Sequence, residues 1–421
     1  MAPLQEFYAM QGLHLTADLY GCQAPEDLLT NADTLAQTCR RLTDDAGLTV
    51  VADRWHTFPD YQGQPGGVTG MILLAESHLA LHTWPERQGV TLDVYVCNFT
   101  CDNSPKAEQL IENLEKAFAA TDSQRERLQR GDENGPSSRE WITEDLNPHS
   151  RYAFAFTRRL LDQHTPYQHL QLFDSPMLGR TMRLDGHFMT AEREEFFYHE
   201  AMAHPAAVAH PNPQRALIIG GGDGGLAEEL LKHPSIQNVV LAELDEAVVQ
   251  ASRQHLQAIH QGALNNPRVD VRIMDGAAFI DTTDERFDLV LLDLTDPETP
   301  AGALYTQAFF QKCKRILTEQ GALVLHLGAP FYEPEQVSQL AAALRASYQH
   351  TAFYGLHIPL YGAYWGLAVV SDTLDPTALH TADVQQRLDQ RGVDQLQYYN
   401  AAVHGALFAL PTYYGKLVQP A

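Results

Sequence analysis

Two groups of side chains in this 421-residue sequence have the types and spacing that chemistry requires. The first is a series of carboxylates around a glycine turn. Gly220, Gly222 and Gly225 have G-x-G-x-x-G spacing, with an apolar run at 216–219 entering the turn and a helix expected to begin near Leu226. Glu243 ends the next apolar run about 20 residues on, where an acid grips ribose hydroxyls. Asp275 follows the third run, and Asp293 and Asp296 follow the fourth. Glu194-Glu195-Phe-Phe-Tyr198-His199-Glu200 precedes the glycines by about one helix. A single acidic pair is ordinarily a solvated face or a helix cap. Carboxylates at successive strand ends around one cleft are much harder to explain as surface chance. The glycine turn alone fits NAD enzymes and methyltransferases equally.

The second group is Glu76-Ser77-His78, with His82 nearby and Cys97 twenty residues beyond Ser77. A serine beside histidines invites a hydrolase reading, but no G-x-S-x-G elbow surrounds Ser77. Taken alone, the segment is a polar strand end, and Cys97 is a small buried hydrophobe.

Both groups need elements to position them. Residues 71–75 and 90–96 read as strands, and 32–46 and 106–120 as amphipathic helices, an α+β pattern. The polar run 121–139 reads as a helix tail and an exposed linker. The expected divisions are a first domain at 1–128, a linker at 129–140, a small β subdomain at 141–193 and an α/β domain at 194–421. In the last, apolar runs at 216–219, 239–242, 269–273, 289–292 and 322–326 alternate with helices, which predicts a doubly wound parallel sheet of Rossmann-like, methyltransferase type.

Composition excludes some partners. The 29 basic against 53 acidic residues, net −24, disfavour nucleic acid and anionic membranes and suit cationic small molecules. The five cysteines are too scattered for a disulfide framework, and Cys97 and Cys101 lack a second pair for zinc, so no metal is expected. The N-terminus has no signal-peptide pattern and no apolar run reaches the ~20 residues that span a bilayer, which makes the cytoplasm the expected location.

From Trp141 onward the chain resembles the spermidine synthase family. The shared stretches are LDG at 184–186, EEFFYHE at 194–200, LIIGGGDGG at 217–225, ELD at 243–245, DLTDP at 293–297, YYNAAVH at 398–404 and FALP at 408–411. The resemblance implies transfer of an aminopropyl group from decarboxylated S-adenosylmethionine to a primary amine, putrescine by default, leaving methylthioadenosine. It implies Asp293 as general base and Asp296 as an amine ligand. It places the donor's ammonium on Asp223, its ribose on Glu243 and its adenine on Asp275. Gln168 matches a donor-side position, and Tyr198 and Tyr361 match acceptor-side ones. His326-Leu-Gly328-Ala-Pro330 stands where the family has Gln-x-Glu-Ser-Pro, so an amine-facing acid is absent, and Leu294 replaces a serine. Agmatine or a longer polyamine stays open as acceptor.

The region from about residue 5 to 125 resembles the bacterial and archaeal S-adenosylmethionine decarboxylases, through GLHLTADLYGC at 12–22, Gly67-Val-Thr69-Gly70 and ESHLALHTWPE at 76–86. This resemblance implies self-cleavage between Glu76 and Ser77, giving pieces of 76 and 345 residues. Ser77 then becomes a pyruvoyl group, which forms a Schiff base with the substrate amine and takes up electrons as carbon dioxide leaves. His82 assists processing, Thr69 supports it, and Cys97 returns a proton. Gly63 stands where an adenine-stacking Phe is usual. Either Phe58 or Tyr61 replaces it, or the domain decarboxylates a basic amino acid such as ornithine or arginine. Both families form homo-oligomers, and in the decarboxylases the site lies at a dimer interface. A methyltransferase with an attached regulatory domain is the second alternative.

Overall fold

The computed structural model describes residues 12–60, 63–98, 101–131, 140–295 and 300–419. The chain divides into two compact units, Met1–Ser137 and Ser138–Ala421.

In the first unit, β1 (Gly12–Tyr20), β2 (Val50–Thr57), β3 (Val68–Leu74), β4 (Ser77–Trp84), β5 (Gly89–Cys97) and β6 (Asp122–Arg130) form an antiparallel sheet. Its order is β2-β3-β4-β5-β1-β6. Strict alternation sends Leu13, Ile72, Leu79, Leu81, Val94 and Val96 into a core shared with the helices Ala32–Asp45 and Ser104–Phe118. Asn31 starts the first of these helices, its side chain accepting from the N–H groups of Asp33 and Thr34. The opposite face carries His14, Thr69, His78, His82, Asp93 and Tyr95, with Met71, Leu73 and Trp84 exposed.

Residues 122–130 are not a helix tail or linker. They are the edge strand β6, paired with β1 along its length and tied by Arg125 and Arg127 to Glu115 and Glu108 of the preceding helix. A run that is polar but for the exposed Leu128 lacks the alternation that marks a strand, yet an edge strand needs only a backbone partner on one side.

The second unit opens with a hairpin, β7 (Glu140–Asn147) and β8 (Ser150–Phe156), and a four-stranded antiparallel sheet. That sheet runs β12-β11-β10-β9, with β9 (Arg158–His164), β10 (His169–Ser175), β11 (Gly179–Leu184) and β12 (His187–Ala191). A seven-stranded sheet follows, built from β13 (Arg215–Gly220), β14 (Asn238–Glu243), β15 (Val269–Ile273), β16 (Phe287–Asp293), β17 (Leu317–Gly328), β18 (His350–Ile358) and β19 (Ala363–Ser371). Its order is β15-β14-β13-β16-β17-β19-β18, parallel from β15 to β17 and antiparallel at β19. Both faces are covered, which is why its strands are continuous apolar runs. Ile218, Leu241 and Leu291 pack with helices Phe196–Ala209 and Gly225–Leu231, while Leu217, Val240 and Val290 pack with Gln307–Arg315 and Pro334–Ser347. The strand order reverses between β13 and β16, the place where such sheets leave a crevice.

Candidate active sites

The carboxyl ends of β13 to β16 open on a cavity of about 420 Å³. The glycine turn lets acids close on its backbone. A Cβ on Gly220 would lie 2.1 Å from the Asp293 carbonyl oxygen, one on Gly222 2.9 Å from Glu243 Oε2, and one on Gly225 2.3 Å from the His199 ring. Gly220 and Gly221 also have φ of +80° and +67°, which other residues resist.

Asp223 follows these glycines. Its Oδ1 accepts from the Gly225 N–H at 2.9 Å, and its Oδ2 is 3.5 Å from His199 Nε2. His199 Nδ1 lies 2.6 Å from Glu195 Oε2. Burial opposes charge on His199, but Asp223 and Glu195 outweigh it and hold the imidazolium far above its usual range. Burial likewise pushes Asp223 up, and the His199 charge more than reverses this, leaving its carboxyl below the ordinary value. Asp293 goes the other way. Burial, then the Asp223 charge, raise it to about 6, against His199 and a hydrogen bond from the Tyr198 hydroxyl. One cleft therefore holds a fixed anion at Asp223 and a carboxyl that exchanges protons near neutrality at Asp293.

On one side of these residues, burial pushes Glu243 up to about 7 although it accepts the Asp245 N–H at 2.9 Å. Gln168 Nε2 donates to Asp245 Oδ2 at 2.9 Å, and Thr165 Oγ1 donates to the same oxygen at 2.7 Å. Asp275 lines the cavity while its Oδ1 caps the helix Gly276–Thr282, accepting from Ala277 N–H at 2.8 Å. On the other side, Tyr361 donates to the Met189 carbonyl at 2.9 Å, its ring centroid 5.9 Å from Tyr198 and 4.8 Å from Trp365. His326 Nε2 is 2.6 Å from the Tyr305 hydroxyl and 2.9 Å from the Leu294 carbonyl, and burial lowers its pKa to about 4. Glu333 lines this wall, with Oε2 2.8 Å from where a Cβ on Gly328 would stand. Asp296 lies outside the described residues.

In the first unit, Ala75 and Glu76 make the bend between β3 and β4. The Cys97 N–H donates to the Glu76 carbonyl at 2.9 Å, and the Thr49 N–H donates to Glu76 Oε2 at 3.1 Å. Ser77 Oγ lies 3.2 Å from His78 Nδ1. The carbonyl before Ser77 thus already holds a donor where charge develops on nucleophilic attack. With a thiol on the adjoining residue of β5, this donor set fits a serine-derived carbonyl group at position 77. Thr69 and His82 oppose each other across β3 and β4. They stand five residues along β4 from Ser77, roughly 16 Å by strand rise. One chain therefore gathers Glu76, Ser77 and Cys97, and leaves Thr69 and His82 apart from them. Gly63 has open space around it, and Phe58 is 47% exposed with its ring edge-on to His56 at 5.2 Å. Tyr61 lies outside the described residues.

Comparison with known proteins matches three family models. They are S-adenosylmethionine decarboxylase over residues 13–131, spermidine synthase tetramerisation domain over 140–192, and spermine/spermidine synthase domain over 195–380. A polyamine aminopropyltransferase of Nitrosomonas europaea is 41% identical over 285 residues, 67% of this chain and 88% of that protein. Polyamine aminopropyltransferase 1 of Pseudomonas aeruginosa is 38% identical over 261 residues, 62% of this chain and 91% of that protein. The chain belongs to the polyamine aminopropyltransferase family. A spermidine synthase crystal structure in complex with the transition state analogue AdoDATO superposes with a TM-score of 0.62 at 32% identity, over 66% of this chain and 94% of that one. The Thermotoga maritima spermidine synthase gives the same TM-score and identity. The aminopropyltransferase here is fused behind an S-adenosylmethionine decarboxylase domain.

Around the aminopropyltransferase cleft the structure assembles Gln168, Tyr198, Asp223, Glu243, Asp275, Asp293 and Tyr361. His199 and Asp245, which stand in shared sequence stretches without an assigned role, and Trp365 and Glu333 also line this cavity. The His199 pairing was legible, because Glu195 and His199 are four apart on a helix start. Glu200 of the same box turns elsewhere: its carboxylate accepts the N–H groups of Gln397, Tyr398 and Tyr399 at 2.7, 2.9 and 2.6 Å.

Proposed function

We propose that the chain cuts itself before Ser77, decarboxylates S-adenosylmethionine with the pyruvoyl group so formed, and passes the aminopropyl group of the product to putrescine. The products are spermidine and methylthioadenosine. The observation that carries the second step is the opposed pKa shift of Asp223 and Asp293 in one cleft, the first lowered and the second raised to about 6. Asp223, kept anionic by His199, takes the donor's ammonium. Asp293 takes the proton of the acceptor amine as its nitrogen bonds to the methylene beside the sulfonium and the carbon–sulfur bond breaks. Glu243 and Gln168, the latter through Asp245, hold the ribose side, and Asp275 the adenine side. Tyr198, Tyr361, Asp296 and Glu333 form the acceptor end, Glu333 filling the space over Gly328 where relatives carry a glutamate. The uncleaved carboxylate of S-adenosylmethionine would meet Asp223 and Asp293 and be repelled.

In the first unit, a ketone at position 77 supplies the sink for the electrons released with carbon dioxide. The Cys97 thiol stands where a proton must return. Thr69 and His82, remote from Ser77 in their own chain, act on Ser77 of a second copy, which makes the working enzyme a homo-oligomer. Cytoplasmic location accords with the acidic composition, net −24, and among the described residues no helix is long and apolar enough to cross a membrane. The test is incubation of the full chain with S-adenosylmethionine and a panel of putrescine, agmatine and spermidine, with product mass analysis. Spermidine and methylthioadenosine are expected. Methylated amine, or carbon dioxide from ornithine or arginine instead, would sink the proposal.

A further inference from the structure

His78 and His14 are both register partners of Tyr95, so β4, β5 and β1 present the three side chains in one row of the open sheet face. Asp93, two residues back on β5, reaches between the imidazoles. Its Oδ1 lies 3.2 Å from His78 Nε2 and 3.4 Å from His14 Nε2. That oxygen is shut off from solvent and, like His14 Nε2, makes no well-aligned hydrogen bond among the described residues, the two imidazoles being its only neighbours at ion-pair distance. A carboxylate oxygen so placed is costly unless the imidazoles turn N–H groups towards it. With its proton on Nε2, His78 presents a bare Nδ1 lone pair, and Nδ1 is the atom 3.2 Å from Ser77 Oγ.

We propose that His78 is the base that takes the Ser77 hydroxyl proton during self-cleavage, with Asp93 and His14 as positioning residues that fix its tautomer and ring. The inference rests on the cleavage proposed above. Ser77 Oγ bonds to the Glu76 carbonyl carbon while its proton passes to His78 Nδ1. The resulting oxyanion stays on the Cys97 N–H, which already donates to that carbonyl at 2.9 Å. The carbon–nitrogen bond then breaks, and His78 returns the proton to the departing Ser77 nitrogen, leaving an ester and a free amine. No oxidant or co-reactant enters this step. Elimination of the Glu76 carboxylate and hydrolysis by water come later and fall to other groups. His82 cannot serve in the same chain, because it stands roughly 16 Å along β4.

The experiment follows cleavage of the full chain by denaturing mass spectrometry. The parent is expected to appear as pieces of 76 and 345 residues. An uncut parent overturns the cleavage itself, whereas a cut parent isolates the question about His78. His78→Ala is expected to process at least about 100-fold more slowly, and added imidazole to restore cleavage, as a lost base permits and a lost packing group does not. His78→Gln, which keeps a polar side chain of similar length, guards against misfolding and is expected to remain uncut in a domain that still resists proteolysis. Asp93→Asn is expected to slow processing, with partial recovery in Asp93→Glu. Parent-rate cutting by either His78 variant, or no imidazole rescue in a folded His78→Ala chain, overturns the role of His78. Parent-rate cutting by Asp93→Asn overturns the positioning role of Asp93.

Discussion

Asp223, Glu243 and Asp293 all end strands or follow a glycine turn, and their different surroundings set their different charges. Asp293 holds its proton below about 6, so the base form is present above that pH and is lost as pH falls through it. The kcat/KM of aminopropyl transfer from supplied donor is therefore expected to fall about tenfold per pH unit on the acid side of this midpoint, measured by methylthioadenosine release. Asp293→Asn is expected to lower that rate by about 10²–10⁴-fold and to leave decarboxylation unchanged. Glu333→Gln acts on the amine and not on the reacting carbon. Its expected signature is a KM for putrescine raised about tenfold with kcat nearly constant. A change confined to kcat would remove Glu333 from the acceptor end.

At the scale of elements, the loop from Gly220 to Gly225 and the helix Phe196–Ala209 are built against each other. Gly225→Ala would force a methyl into the His199 ring. The buried ring is held by Glu195 and Asp223, so displacing it breaks those contacts. Transfer activity is expected to collapse while self-cleavage continues, read by the two assays side by side. The same helix fastens the C-terminal segment through Glu200, which accepts three backbone N–H groups. Glu200→Gln leaves at least one of these donors without an acceptor. It is expected to destabilise the second unit by about 1–3 kcal/mol, visible as a lower melting temperature with little change in KM.

At the scale of the molecule, two units join reactions of which the first makes the donor used by the second. The placement of Thr69 and His82 away from Ser77 within one chain bears on assembly. Ser77→Ala and His82→Ala chains are each expected to stay uncut when produced alone. Produced together, they are expected to yield cut His82→Ala chains, as intact His82 of one copy meets intact Ser77 of another. No cutting in the mixture would place processing within a single chain. Aminopropyl transfer should survive in both variants when decarboxylated donor is supplied.

Much of this was written in the residues alone. The doubly wound sheet follows from continuous apolar runs between helices, because a strand covered on both faces has no polar positions to show. The glycine turn, the strand-end acids and the Ser77 segment are local in sequence and could be read there. Edge strand β6 could not, since its stability comes from the backbone of β1 and its side chains carry no alternation. Nor could the opposed shifts of Asp223 and Asp293, since a histidine 24 residues away lowers the first, while burial and Asp223, 70 residues away, raise the second. The cluster of His14, His78 and Asp93 depends on β1 pairing with β5 of the β4–β5 hairpin, which is distant from it in sequence. Chemistry-bearing residue types were thus determined by sequence. Their charges and their partners were decided by tertiary structure, because ionisation and hydrogen bonding depend on distance and burial in space.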